Sequence, residues 1–293
     1  MLPDTFYKTP AGYAAMMAWY DQAVARLPTL ETGVVATRYG PTQVLAAGPA
    51  GAPVVVLLHG LGVNALVWAR QLPALAAAGY RVYAPDIIGM AGRSAALRLP
   101  YDSRGYADWL GQTLDGLGVP AASLVGLDFG AWLIVRLAAL APERIQRAAL
   151  LSPAGLLSVR WKYLVPILWD VLFINDEQAQ RLARKLLAPP EAALDEDAVH
   201  LLYLSIKHLQ QPFAPPGLPP AQIGLLRAPT LVLAGEHDDV WNPRELLSLA
   251  RAALPDVRAE LVAGAGHGLT ASHADWVAGR LLQFLRDTAH PGR

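Results

Sequence analysis

Pro53-Val-Val-Val-Leu-Leu-His59 contains an apolar run without polar alternation. A strand with one wet face alternates with period two. A strand that is apolar at every position is buried on both faces, and such strands belong to parallel sheets covered by helices. Similar short runs recur at Arg81–Pro85, Ser123–Leu127, Arg147–Leu151 and Pro229–Ala234, with another strand expected over 257–263. Helical spacing of apolar residues lies between and after them, at 66–78, 104–117, 131–141, 243–253 and 274–287. This alternation predicts an α/β protein with a mostly parallel, doubly wound sheet. A helix over 11–27 and a hairpin around Gly40-Pro41, with strands at 33–39 and 42–48, precede it.

The alternation stops near Ser152. Residues 155–220 offer helical stretches, three Pro-Pro pairs (189–190, 215–216, 219–220) and no strand. We read them as a helical cap inserted into one core formed by 1–154 and 221–293. Two independent domains fit less well, because neither flank has enough strands to close a sheet alone. With 24 Lys+Arg against 24 Asp+Glu, the chain lacks the basic surface that nucleic acid requires. It has no cysteine for disulfides or thiolate ligands. The longest greasy segment, Tyr163–Ile174, is broken by Pro166 and Asp170 and is too short for a membrane span. No signal peptide is apparent in the opening residues, so a cytoplasmic protein is expected. Oligomeric state is not legible.

The chemistry centres on Gly126-Leu-Asp128-Phe-Gly130, which follows a strand and precedes a helix. That is the setting of a nucleophile elbow, where flanking glycines permit a sharp turn that lifts the middle side chain toward a substrate. The bland alternative is a helix-capping aspartate. His59-Gly-Leu61-Gly follows the 54–58 strand, where the Leu61 N–H, with that of Phe129, could form an oxyanion hole. Asp238 follows the 229–234 strand, and His267 follows the 257–263 strand within Gly264-Ala-Gly-His-Gly268. All four segments fall at the carboxyl ends of strands, where open α/β sheets bind ligands.

In these features the chain resembles the α/β-hydrolase superfamily from Glu31 onward, including Pro85-Asp-Ile-Ile-Gly89 and Gly92-Arg-Ser94 after the fourth strand. The N-terminal helix, the 31–59 stretch, "DIIG" and "GEH" look most like bacterial carboxylesterase-type hydrolases. That resemblance implies serine where Asp128 stands. Aspartate there resembles epoxide hydrolases, haloalkane dehalogenases and fluoroacetate dehalogenases instead. It implies Asp128 as nucleophile, His267 as base and Asp238 as its orienting carboxylate. Asp238 matches the Gly-x-x-Asp spacing from Gly235 better than Asp239 does.

A carboxylate attacks sp³ carbon usefully, whereas its attack on an ester gives an anhydride that reverts. For a haloalkane, the resemblance implies a halide-holding tryptophan directly after the nucleophile; here Phe129 stands there, with Trp132 one turn on. A fluoroacetate dehalogenase would have arginine there. For an epoxide, cap tyrosines must donate to the ring oxygen, and Tyr163 and Tyr203 are available, with ordinary packing as their other reading. Glycine at position 62, where epoxide hydrolases tend to have proline, departs from that pattern. His59 and Trp132 are further candidates to line the pocket. The expected substrate is a small apolar organic molecule, an epoxide ahead of a haloalkane, with no cofactor or metal. Two other classes stay open. One is a non-hydrolytic acid–base enzyme that uses Asp128 and His267 for cyclisation, elimination or rearrangement of a biosynthetic intermediate. The other is a non-catalytic binding protein.

Overall fold

The computed structural model describes residues 6–157, 175–210 and 214–287. The expected hairpin is β1 (Glu31–Thr37) and β2 (Gly40–Ala47). It is followed by β3 (Val54–Leu58), β4 (Arg81–Pro85), β5 (Ala122–Leu127), β6 (Ile145–Leu151), β7 (Thr230–Gly235) and β8 (Val257–Val262). They form an eight-stranded sheet in the order β1-β2-β4-β3-β5-β6-β7-β8. β1 and β2 pair antiparallel, as do β2 and β4, and every other pairing is parallel. The chain winds outward from β3 to β4, then returns to the other side of β3 as β5. The carboxyl ends of β3 and β5 therefore open onto the crevice at this switch point.

The helices are α1 (Pro10–Ala25), α2 (Gln71–Ala77), α3 (Gly105–Gly116), α4 (Phe129–Ala138), α5 (Asp176–Leu187), α6 (Glu196–His208), α7 (Pro220–Ile223), α8 (Pro243–Ala253), α9 (Leu269–Ser272) and α10 (Ala274–Arg286). The absence of alternation in β3 is explained by its two neighbours. Val55 and Leu57 pack in one core with residues of α1, α2 and α10, while Val56 and Leu58 pack in a second core with α3, α4 and α8. One expectation is corrected. The helix expected over 66–78 is split into a 3-10 turn, Ala65–Trp68, and α2. Pro73 lacks the N–H that an uninterrupted helix would need there, and restarting at Gln71 puts it in a first turn, where that loss is harmless.

Between β6 and β7 the described helices are α5, α6 and the short α7. Asn175 and Gln178 form a reciprocal capping box at the start of α5. α5 and α6 pack through Ala179, Ala183, Val199 and Ile206, and α6 also lies against α1. Among the described residues no helix is long and apolar enough to cross a membrane.

Candidate active site

Asp128 joins β5 to α4 with φ 48° and ψ −108°. A non-glycine residue held at positive φ stores roughly 1–3 kcal/mol of backbone strain. The surroundings hold it there. Its N–H donates to Leu151 O on the neighbouring strand at 2.9 Å, and its carbonyl accepts from Ala131 N and Ala154 N at 3.1 and 3.2 Å. The glycines are steric necessities. A Cβ on Gly126 would lie 2.3 Å from Ala131 N, and one on Gly130 would lie 2.1 Å from Leu58 O. The helix-capping alternative fails, because the Asp128 side chain makes no cap hydrogen bond to α4.

The carboxylate turns toward the loop after β3. Leu61 N donates to its Oδ2 at 3.0 Å, and the Phe129 amide lies near enough to favour the charged carboxylate. Desolvation pushes the carboxyl above its ordinary pKa; the His267 charge and these two amides pull it back, and Asp238 pushes it slightly further up. Across the crevice, His267 Nδ1 lies 2.9 Å from Asp238 Oδ2. The other Asp238 oxygen accepts from Val240 N and Trp241 N at 2.8 and 3.2 Å. Asp238 is buried and Asp239 exposed, which decides between the two. Burial pushes the His267 imidazole down, yet the charge and hydrogen bond of Asp238, with the charge of Asp128, outweigh it and hold the pKa up at about 9. Asp128, His267 and Asp238 thus form one electrostatically coupled group, in which Nε2 is the imidazole nitrogen left to react.

Three sequence expectations change. His59 is fully buried, and both ring nitrogens are occupied: Nδ1 with Gly60 O and Nε2 with Ile87 N, each at 2.8 Å. Burial lowers its pKa to about 4 against the raising effect of the Gly60 bond. It ties the end of β3 to the segment after β4 and has no nitrogen free for a substrate. Trp132 is fully buried in the core, stacked on Phe129 at 5.4 Å. Tyr203 packs with His200 on its own helix, at 5.6 Å, beneath the Lys207 ammonium, and against the α5–α6 cluster. Tyr163 lies outside the described residues. His237, which could suggest a metal, is largely exposed beside Glu236. Among the described residues no cluster of three potential metal ligands occurs.

Sequence reading missed two residues. Ser152, at the end of β6, has φ 42° and is, with Asp128, one of two non-glycine residues at positive φ among the described residues. Its hydroxyl donates to His267 O at 3.0 Å, and its N–H to Leu233 O at 2.8 Å. It pins the histidine loop from below. Its position at a strand's carboxyl end was the available signal. Tyr101, between β4 and α3, packs its ring against Phe129 at 5.8 Å. No motif marks it.

The family model described as "Alpha/beta hydrolase family" matches residues 55–280. The chain belongs to the α/β-hydrolase family. It is 30% identical over 280 residues to carboxylesterase YbfK of Bacillus subtilis, spanning 91% of this chain and 92% of that protein. The crystal structure of that carboxylesterase matches with a TM-score of 0.82 and 26% identity, over 94% of this chain and 99% of the other. The Bacillus subtilis naproxen esterase structure gives 0.83 at 25% identity, over 95% and 100% of the two chains. A shorter match, 42% over 116 residues, is to epoxide hydrolase A of Mycobacterium tuberculosis, covering 39% of this chain and 36% of that one. The fold and these relatives define a hydrolase-family enzyme, a class that acts on small organic substrates.

Proposed function

We propose that this enzyme opens an epoxide by attack of Asp128 and hydrolyses the resulting ester with His267 as base. The bond from Leu61 N to Asp128 Oδ2, at 3.0 Å, carries this reading. It holds one carboxylate oxygen and leaves Oδ1 to attack an sp³ carbon. Once Oδ1 is alkylated, Oδ2 is the ester carbonyl oxygen, already on the Leu61 amide, which with the Phe129 amide would hold the oxyanion during hydrolysis. Ester cleavage, which the names of the full-length relatives suggest, suits Asp128 poorly because the anhydride would revert. A haloalkane is also less well served. Phe129 offers no side-chain donor for a halide, and the Trp132 indole N–H is buried in the core.

The electrostatics support two steps in sequence. At rest His267 holds a proton, since its pKa is about 9. Alkylation neutralises Asp128 and removes one of the charges that keep that proton in place. The imidazole pKa then falls, the imidazolium gives its proton to the alkoxide oxygen of the opened ring, and neutral His267 is left as a base when water must be activated. Asp238 orients it throughout. A second reading rests on the same coupled pair: Asp128 is pushed up and His267 held up, so the two could exchange protons with a substrate in a non-hydrolytic elimination or cyclisation.

Intact-protein mass spectrometry of His267→Gln after exposure to epoxides, haloalkanes and esters separates these readings. We expect an adduct of the whole epoxide mass on Asp128, absent in His267→Gln/Asp128→Asn, and a loss of turnover of at least about 1000-fold in Asp128→Asn. No adduct from any electrophile, with a folded protein, would reject the covalent route and favour the acid–base reading.

A further inference from the structure

The turn that follows β6 is bonded to three parts of the candidate site. Leu151 O accepts from Asp128 N at 2.9 Å, and Ala154 N donates to Asp128 O at 3.2 Å, so the elbow hangs on this turn by its backbone. Between them, Ser152 N donates to Leu233 O at 2.8 Å and ties the turn to β7, the strand that leads to Asp238. The Ser152 hydroxyl donates to the carbonyl of His267 itself, at 3.0 Å. Other bonds hold the same loop: His237 N to Ala265 O and Gly268 N to Leu187 O, each at 2.8 Å, and Leu269 N to His267 O at 3.0 Å. All three join backbone groups. The Ser152 hydroxyl reaches His267 from a side chain, so one substitution removes the contact. Ser152 is fully buried and stands at φ 42°. Glycine would adopt that backbone without strain, and such strain persists only where the surroundings over-determine it. What serine offers here beyond glycine is the hydroxyl, and the hydroxyl goes to His267.

We infer that Ser152 is a positioning residue: by holding the His267 carbonyl it sets where the imidazole stands relative to Asp128. This role rests on the reading of Asp128 as nucleophile and His267 as base. Ser152 touches no reacting atom and acts only through the base. The place of that base is constrained twice. Nδ1 keeps Asp238 Oδ2 at 2.9 Å, and Nε2 must come within hydrogen-bond reach of the water that attacks the Asp128 ester. A shift of about 1 Å in such an arrangement costs on the order of 100-fold in rate. The turn after β6 holds Asp128 by its backbone and His267 by the Ser152 hydroxyl, so one short segment fixes both partners. Attack of Asp128 on carbon does not use the imidazole when the leaving group needs no proton. The positioning role therefore predicts a defect confined to ester breakdown. A buried hydroxyl that served only the fold, or the shape of the elbow, would affect both steps.

Phenacyl bromide separates the steps, whereas an epoxide draws the His267 proton in its first step and blurs them. Asp128 Oδ1 forms the new C–O bond as the C–Br bond breaks, and bromide leaves with the electron pair. Water then gives a proton to His267 and hydroxide to the Asp128 ester carbonyl. The released alcohol oxygen takes the proton from His267, and the regenerated Asp128 acid gives its own to solvent. Rapid-quench intact mass, with adducts mapped to Asp128, follows both rates in the parent, Ser152→Ala and Ser152→Gly. We expect ester formation within about threefold of the parent and ester breakdown slowed about 30-fold in both variants. Ser152→Gly also relieves the backbone, and it carries the test if Ser152→Ala does not fold. In His267→Gln, adding Ser152→Ala should leave the slow residual breakdown within about threefold, because the residue it positions is gone. Parent-like breakdown in a folded variant, equal slowing of both steps, or a further slowing in His267→Gln would overturn the positioning role and leave Asp128 as nucleophile. No Asp128 ester in His267→Gln itself would reject the nucleophile reading, and the positioning role with it.

Discussion

The proton on His267 is the residue-scale quantity that decides how the site works. Two carboxylates hold it, and only Asp238 is hydrogen-bonded to the ring. Removing the charge of Asp128 should therefore lower the imidazole pKa from about 9 while leaving the Asp238 bond in place. NMR titration of the His267 ring nitrogens in Asp128→Asn checks this, and an unchanged value would mean that Asp128 does not reach the imidazole electrostatically. Asp128, Asp238 and His267 were legible because each sits at a fixed offset from a recognisable strand end. Ser152 and Tyr101 were not, because the contacts that matter for them cross 115 residues to His267 O in one case and join a loop to α4 in the other. His59 and Trp132 carry the right chemistry in the sequence, yet packing turns both inward.

At the scale of elements, the site is a set of strand ends held by what packs around them. The elbow depends on β5 and α4 approaching more closely than any side chain allows. Gly126→Ala places a methyl carbon 2.4 Å from the Gly130 carbonyl carbon as well as against Ala131 N. The colliding atoms are backbone and cannot rotate away, so a loss of about 3 kcal/mol in stability is expected, measured by denaturant unfolding. The helices between β6 and β7 also reach both loops of the candidate site. Gly268 N donates to Leu187 O at the end of α5, at 2.8 Å, and the Ser205 hydroxyl on α6 donates to Gly62 O beside the Leu61 amide. The helices described between β6 and β7 were readable from the loss of strand–helix alternation. Their grip on the loops was not, since it runs through backbone atoms that every sequence possesses.

For the whole molecule, the same charges that tune the site make folding depend on pH. His267 has a folded pKa near 9 against an ordinary value of 6.5. A group raised in this way stabilises the fold fully below about pH 6.5, and the contribution disappears as pH rises through about 9. The stability difference between the parent and His267→Gln should therefore shrink from pH 6 to pH 10 in parallel urea titrations. A difference that grows over that range would contradict the sign. The raised carboxyl of Asp128 acts in the same direction at lower pH, as a cost that appears when it ionises.

The sequence by itself determined the sheet, its parallel winding, the helical break between the strands near residue 152 and the strand that resumes at Pro229, and the chain order Asp128, Asp238, His267. Burial on two faces forces apolar strands, sharp turns force glycine, and both leave local marks. Only the tertiary structure decided that the Asp128 carboxylate meets the Leu61 amide, that His59 staples two loops, and that the Tyr101 ring packs on Phe129. Those outcomes follow from how distant, non-periodic loops pack together, and no local pattern of residues encodes that packing.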